Sequence, residues 1–148
     1  MNVEKLILQV RKDNAILERK KEELERLLSI CHVTGINLEA ERVSGSRDNS
    51  SKEHSYLSYI NYKQELEDYI AQTIGNRRTL MKLIDKLDDT KAIEVLYRYC
   101  FKNEYLSAIA NDMNYSKDNI YKIYRKAIKR MELYNSKWFY TVLYCQVC

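Results

Sequence analysis

Apolar residues recur at steps of three and four along most of the chain, and the places where that rhythm fails divide it into segments. In residues 1–33 the rhythm is carried by Val3, Leu6, Val10, Leu17, Leu24, Leu27 and Cys31, with Asp13 and Lys20 breaking the row. A period near 3.5 predicts one long helix with a narrow apolar seam, of the coiled-coil type. A seam without a core of its own must meet another helix, in the same chain or in a second subunit. Residues 56–88 supply a matching row in Leu57, Ile60, Leu66, Ile70, Ile74, Leu80, Leu83, Ile84 and Leu87, which predicts a long middle helix. Gly75 interrupts that row and marks a place for a bend. The stretch between them, residues 34–55, holds two of the three glycines and many serines with little periodicity, and reads as a flexible connector. The two long helices are expected to form a coiled-coil-like pair, and a homodimer through them is the favoured form.

Residues 89–134 change character. Leu87, Ile93, Leu96, Tyr97 and Tyr99 give one apolar face before and within this segment. The stretch LSAIANDM predicts a short helix with Leu106, Ile109, Ala110 and Met113 pointing inward. After it, a helix over 116–131 places Ile120, Ile123, Tyr124, Ala127 and Met131 on one side. Asp118, Lys122, Arg125 and Lys129 fall on the other, and Tyr121 falls at the border. Ser116 stands where a cap oxygen satisfies the first free amides, and Asp118 in the first turn suits the positive end of the helix dipole. The connection needs a residue that tolerates positive φ, which Asn114 does at low cost, and Ala110 is small where two helices must cross closely. Helix, tight turn and helix follow the apolar spacing of a DNA-binding helix-turn-helix. The last residues, 135–148, include KWFYTVLYCQVC, an apolar and β-prone tail too short for the roughly twenty residues of a membrane span. No function attaches to it.

Composition agrees with an all-α fold: 45% hydrophobic, 31% charged, no Pro and three Gly favour helices with few breaks. The net charge of +4 is small, but its distribution is not even. From Ser116 to Arg130 the bases Lys117, Lys122, Arg125, Lys126, Lys129 and Arg130 face one acid, Asp118, for a local +5 against −1 elsewhere. A basic excess confined to one element is the footprint of phosphate binding, because neutralised phosphates release their counterions. Solvated basic faces are common, so charge alone does not decide the matter.

Other chemistries find little in the chain. His32 and His54 are the only histidines, the glycines are scattered, and the SGS at 44–46 lacks the strand–turn–helix setting of a nucleophile elbow. No catalytic residue and no cofactor are expected, and the protein is read as a non-enzyme. Of the four cysteines, Cys145-x-x-Cys148 has no second Cys-x-x-Cys to complete a zinc site, and Cys31 beside His32 and Cys100 stand apart. No metal is expected, and without a secretory signal a reduced, cytoplasmic protein is the simpler expectation.

LSAIANDMNYSKDNIYKIYRKAIKRM resembles the helix-turn-helix of region 4 in bacterial sigma factors, through the skeleton Ile-Ala, Ser, Ile, Ile, Ala-Ile and Met. LIDKLDDTKAIEVLYRYCFKN resembles the region-4 helix that packs against it, so the likeness covers residues 83–134. More widely, LEAERVSGSRD, the long middle helix and LYRYCFKNEYLSAIANDMNYSKDNIYKIYRKAI together resemble small phage-encoded proteins of Gram-positive bacteria akin to late transcriptional regulators of the ArpU and RinA type. In that family the second helix enters the major groove, which implies base-edge contacts from Lys117, Asp118, Tyr121 and Lys122 and phosphate contacts from Arg125 and Lys129. Ser116, Asn119 and Lys126 on the same turns complete the DNA-binding set. Tyr121 departs from a position where the family often has Arg, so the family's usual DNA sequence does not carry over. Nothing resembles the sigma region that melts the promoter, and a complete sigma factor is not expected. The resemblance implies a regulator that binds double-stranded DNA in the bacterial host, with host RNA polymerase as a further partner and no membrane. A helical adaptor that binds protein and a phage DNA-packaging subunit are the alternatives.

Overall fold

A computed structural model describes residues 2–33 and 49–145, with side chains at 2–33 and 50–136. Among the described residues the fold is all-α: α1 (Val3–Val33), α2 (Asn49–Ile84), α3 (Thr90–Phe101), α4 (Leu106–Asp112) and α5 (Lys117–Cys145), with no strand. The long first and middle helices are both present. The middle helix begins at Asn49 rather than at 56 and ends at Ile84 rather than at 88, so the end of the expected connector is helical. The rest of that connector, residues 34–48, lies outside the described residues. Gly75 sits within an unbroken α2, where an added Cβ would meet nothing. The β-prone tail also departs from expectation: α5 continues through it to Cys145. Strand propensity is realised only against a neighbouring strand, and extending a formed helix by one residue adds a hydrogen bond at each step. The side chains of Cys145 and Cys148 lie outside those described.

The chain divides into two compact units, Met1–Ala15 with Thr73–Cys148, and Ile16–Gln72. The core of the first draws on four helices: Val3, Leu6, Ile7 and Val10 of α1, Leu80, Leu83 and Ile84 of α2, Ala92, Leu96 and Cys100 of α3, and Ala127, Ile128 and Met131 of α5. A second cluster, Val95, Leu106, Ile109, Ala110 and Ile120, packs α3, α4 and α5 together. Each large side chain removed from water in this way contributes about 1.5–3 kcal/mol.

The last carbonyls of a helix have no donor within the helix, and a buried helix end must find one elsewhere. At the end of α3 the donors come from α1. The Arg11 guanidinium donates to the carbonyl of Tyr99 and, at 3.2 Å, to that of Glu104. The Asn14 amide donates to the carbonyls of Cys100 (2.9 Å) and Phe101 (3.4 Å). Its oxygen accepts from Arg77 of α2 at 2.9 Å, and that guanidinium lies 4.8 Å from the Phe101 ring centre. Asp13, which breaks the apolar row of α1, is buried and accepts from the Gln9 amide at 2.8 Å. The break in the pattern is therefore a polar layer of the core.

In the second unit α1 and α2 run antiparallel. The Cys31 thiol donates to the Ser55 carbonyl at 3.5 Å, while Lys20 reaches Glu65 at 4.0 Å and lies near the rings of Tyr62 and Tyr69. Only Cys31 and Leu66 are buried among its described residues, and Leu17, Leu24, Leu27, Tyr62 and Tyr69 are half-buried. The sequence row on α2 placed Leu57, Ile60 and Ile70 in this seam; all three are exposed. At 100° per residue Tyr59, Tyr62, Leu66 and Tyr69 make the inward stripe, and Ile70 and Ile60 fall roughly 60° and 140° from its centre. Tyrosines hold the positions that the aliphatic residues were expected to fill.

Candidate nucleic-acid interface

The interface is built on α3, α4 and α5. Asp89 starts α3 by accepting from the amides of Lys91 (3.0 Å) and Ala92 (3.4 Å). Ala92, Val95, Leu96 and Cys100 face inward, whereas Tyr97, expected on the apolar face, is exposed. The Arg98 guanidinium pairs with Glu104 and with Asp112, each at 2.6 Å, and so ties α3 to the following turn and to the end of α4. Hydrogen bonds to Glu104 and then Asp112 push the Arg98 pKa further up. Charge-assisted bonds of a mostly buried guanidinium fix orientation more firmly than exposed pairs do.

The turn between α4 and α5 closes as the residues require. Asn114 adopts φ 56°, the Tyr115 amide donates back to the Ala110 carbonyl at 2.9 Å, and the Asn114 amide donates to Asn111 at 3.3 Å. This is the left-handed helix stop in which Gly or Asn is favoured. Asn103 makes a similar turn after α3, with φ 55°. Ala110 has no exposure and packs with Ile120 of α5. The Ser116 hydroxyl accepts from the Asn119 amide at 3.3 Å and caps α5. Tyr124 packs edge-on against Tyr99, with ring centres 5.1 Å apart, and burial pushes its hydroxyl pKa up. Tyr124 is thus a packing residue, while Tyr121 is exposed.

The opposite face of α5 is cationic. Ser116, Lys117, Asp118, Asn119, Tyr121, Lys122, Arg125, Lys126 and Lys129, the whole expected set, are exposed on it. Among the described residues none of the six bases from Lys117 to Arg130 forms an ion pair. Charges on α1 behave otherwise, with Lys21 on Glu18 at 2.9 Å and Arg26 on Glu23 at 2.6 Å.

That face has relief. Asn119, Lys122, Lys126 and Arg130 rim a depression of about 230 Å³ floored by Leu87, Ala92, Ile123 and Ala127, with Asp89 at the start of α3 on its far side. Asp118, Arg125 and Lys129 stand on the crest of the helix, outside the depression. The expected set is thus split between crest and cleft. Arg130 joins the cleft, although the sequence reading left it out of the set; its position four residues after Lys126 was the signal. Lys91, also missed, lies at the start of α3 with its ammonium 5.3 Å from the Tyr115 ring centre, and a hydrogen bond with Tyr115 raises its pKa. The arrangement suits a polyanion laid along α5. Among the described residues no group of three or more metal-binding side chains is gathered, and no helix is long and apolar enough to cross a membrane.

No curated protein and no solved structure matches the chain. The family described as "Protein of unknown function (DUF1492)" matches residues 32–132, a span that takes in α2, α3, α4 and the cationic turns of α5. As the match covers more than half of the 148 residues, the chain belongs to the DUF1492 family.

Proposed function

We propose that the protein is a sequence-specific DNA-binding transcriptional regulator that lays α5 in the major groove of double-stranded DNA. The observation that carries this reading is the row of cations on α5 that form no ion pair among the described residues, held outward by the closed turn at Asn114 and the Ser116 cap. A B-form major groove admits one α-helix, and the first turns of such a helix reach base edges while cations beyond them meet phosphates. Lys117, Asp118, Tyr121 and Lys122 read bases in this account. Arg125, Lys126, Lys129 and Arg130 hold the backbone. The resemblance of residues 83–134 to sigma region 4 supports the same orientation and adds host RNA polymerase as a partner. The wider resemblance supports a phage-encoded regulator acting in the host cytoplasm, and the apolar seams of the two long helices support a homodimer through them.

Selection of bound duplexes from a random pool by mobility shift tests the reading. A recovered consensus of a few base pairs, bound at least about a thousandfold more tightly than random duplex at equal salt, is the expected result. Binding with no consensus, or no binding at low salt, would overturn it. In the second case the adaptor reading takes its place.

A further inference from the structure

On α1 within Ile16–Gln72 most outward positions up to Arg26 are charged, and Lys21 with Glu18 and Arg26 with Glu23 pair along the helix, as a solvated coat does. One flank of α2 differs. Ile60 is 39% and Ile70 40% exposed, and Lys63 and Glu67 lie between them on the same stripe, at steps of three and four. Neither Lys63 nor Glu67 has an ion-pair partner among the described residues.

The order Ile, Lys, Glu, Ile reads the same from either end when opposite charges are exchanged. Laid antiparallel on a second copy about a two-fold axis near Glu65, the stripe places Ile60 against Ile70 of the partner subunit and Lys63 against Glu67 of the partner subunit. The reciprocal contacts follow by symmetry. An isologous interface requires such self-complementarity. A parallel pairing in register instead sets Lys63 against its own copy and Glu67 against its own. We infer that this flank of α2 is the subunit interface, closed by antiparallel α2–α2 packing. The inference rests on the proposal that the long helices pair two subunits, and it names the surface and the register. The isoleucines supply affinity by burial, and the two Lys–Glu pairs set orientation and exclude the parallel arrangement. Among the described residues the half-buried seam between α1 and α2 gives this unit little core of its own, which a second copy would enlarge.

Charge reversal tests the register without touching the α1–α2 seam. Sedimentation equilibrium of the full chain is expected to give a two-chain mass at micromolar concentration. Lys63→Glu and Glu67→Lys singly should each raise the dimer dissociation constant at least about tenfold, since each sets like charges together twice per interface. The double reversal K63E/E67K should restore it to near the wild-type value. Circular dichroism of all three variants should stay helical. A one-chain mass for the wild type even at roughly 100-fold higher concentration would overturn both the interface and the dimer. A stable dimer indifferent to both single reversals, or one the double reversal fails to restore, overturns this surface alone. DNA affinity of α5 is read separately, by anisotropy of a labelled duplex, and neither result depends on it.

Discussion

The units Met1–Ala15 with Thr73–Cys148, and Ile16–Gln72, share the same two long helices, yet among the described residues only the first buries a full core. In the first, α1 and α2 are joined by α3 and α5, and side chains such as Ile7, Leu80, Leu96 and Met131 have almost no exposure. Its helix ends are closed by Asp89, Arg11, Asn14, Asn114 and Ser116. In the second, among the described residues, two helices lie against each other, and only Cys31 and Leu66 are buried. Helical propensity is similar in both. The difference is the number of helices around each side chain, because a helix pair can shield one stripe at most and a third and fourth helix are needed to enclose it. An element that must hold cations at fixed spacing belongs in the enclosed unit, where α5 is found. The surface proposed to meet a second copy lies in the open one.

The contrast breaks most directly under equal truncations. Leu96→Ala, in the enclosed core, should lose about 2–5 kcal/mol of unfolding free energy, whereas Leu24→Ala, half-buried, should lose about half of that or less. Urea denaturation of both measures this, and equal losses would erase the distinction. Ala110→Leu should overpack the α4–α5 crossing by about 1–3 kcal/mol, with thermal stability and duplex affinity falling together. Full stability and full affinity in that variant would mean that α4 and α5 do not cross as described. Asn14→Ala strips the Cys100 carbonyl of its donor and leaves Arg77 without its acceptor, at about 1–3 kcal/mol. Its mark is loss of amide protection at the end of α3 by hydrogen exchange, and unchanged protection there would remove Arg11 and Asn14 from their capping role. Smallest is the turn: Asn114→Ala should cost about 1 kcal/mol through its left-handed backbone, and Asn114→Gly should not. Equal thermal midpoints for the two would contradict the positive φ.

Much of this was legible in the residues. Asn114, Ser116 and Ala110 are read from local chemistry, since a turn, a cap and a close crossing each accept few residue types, and all three stand where expected. The exposed face of α5 follows from phase alone. Phase failed on α2, where Leu57, Ile60 and Ile70 outweighed Tyr59, Tyr62 and Tyr69 by hydrophobicity and pointed to the wrong stripe. A tyrosine covers a seam with its ring and keeps its hydroxyl wet, so an aliphatic pattern underrates it. The polar layer of Arg11, Asn14 and Arg77 was hidden for another reason. It serves carbonyls more than sixty residues away along the chain, and no local pattern reports such a need. The cleft rimmed by Lys122, Lys126 and Arg130 depends likewise on where the start of α3 lies.

A salt titration of four single variants against one selected and one random duplex separates the cations of α5 proposed to read DNA from those proposed to anchor it. Arg125→Ala and Lys129→Ala should weaken both duplexes alike and flatten the log–log salt slope by about one unit each, as loss of a phosphate contact does. Lys117→Ala and Lys122→Ala should cost about 1–3 kcal/mol on the selected duplex and less on the random one, so that specificity falls. Equal losses on both duplexes in all four variants would reduce α5 to a cationic surface and contradict the account.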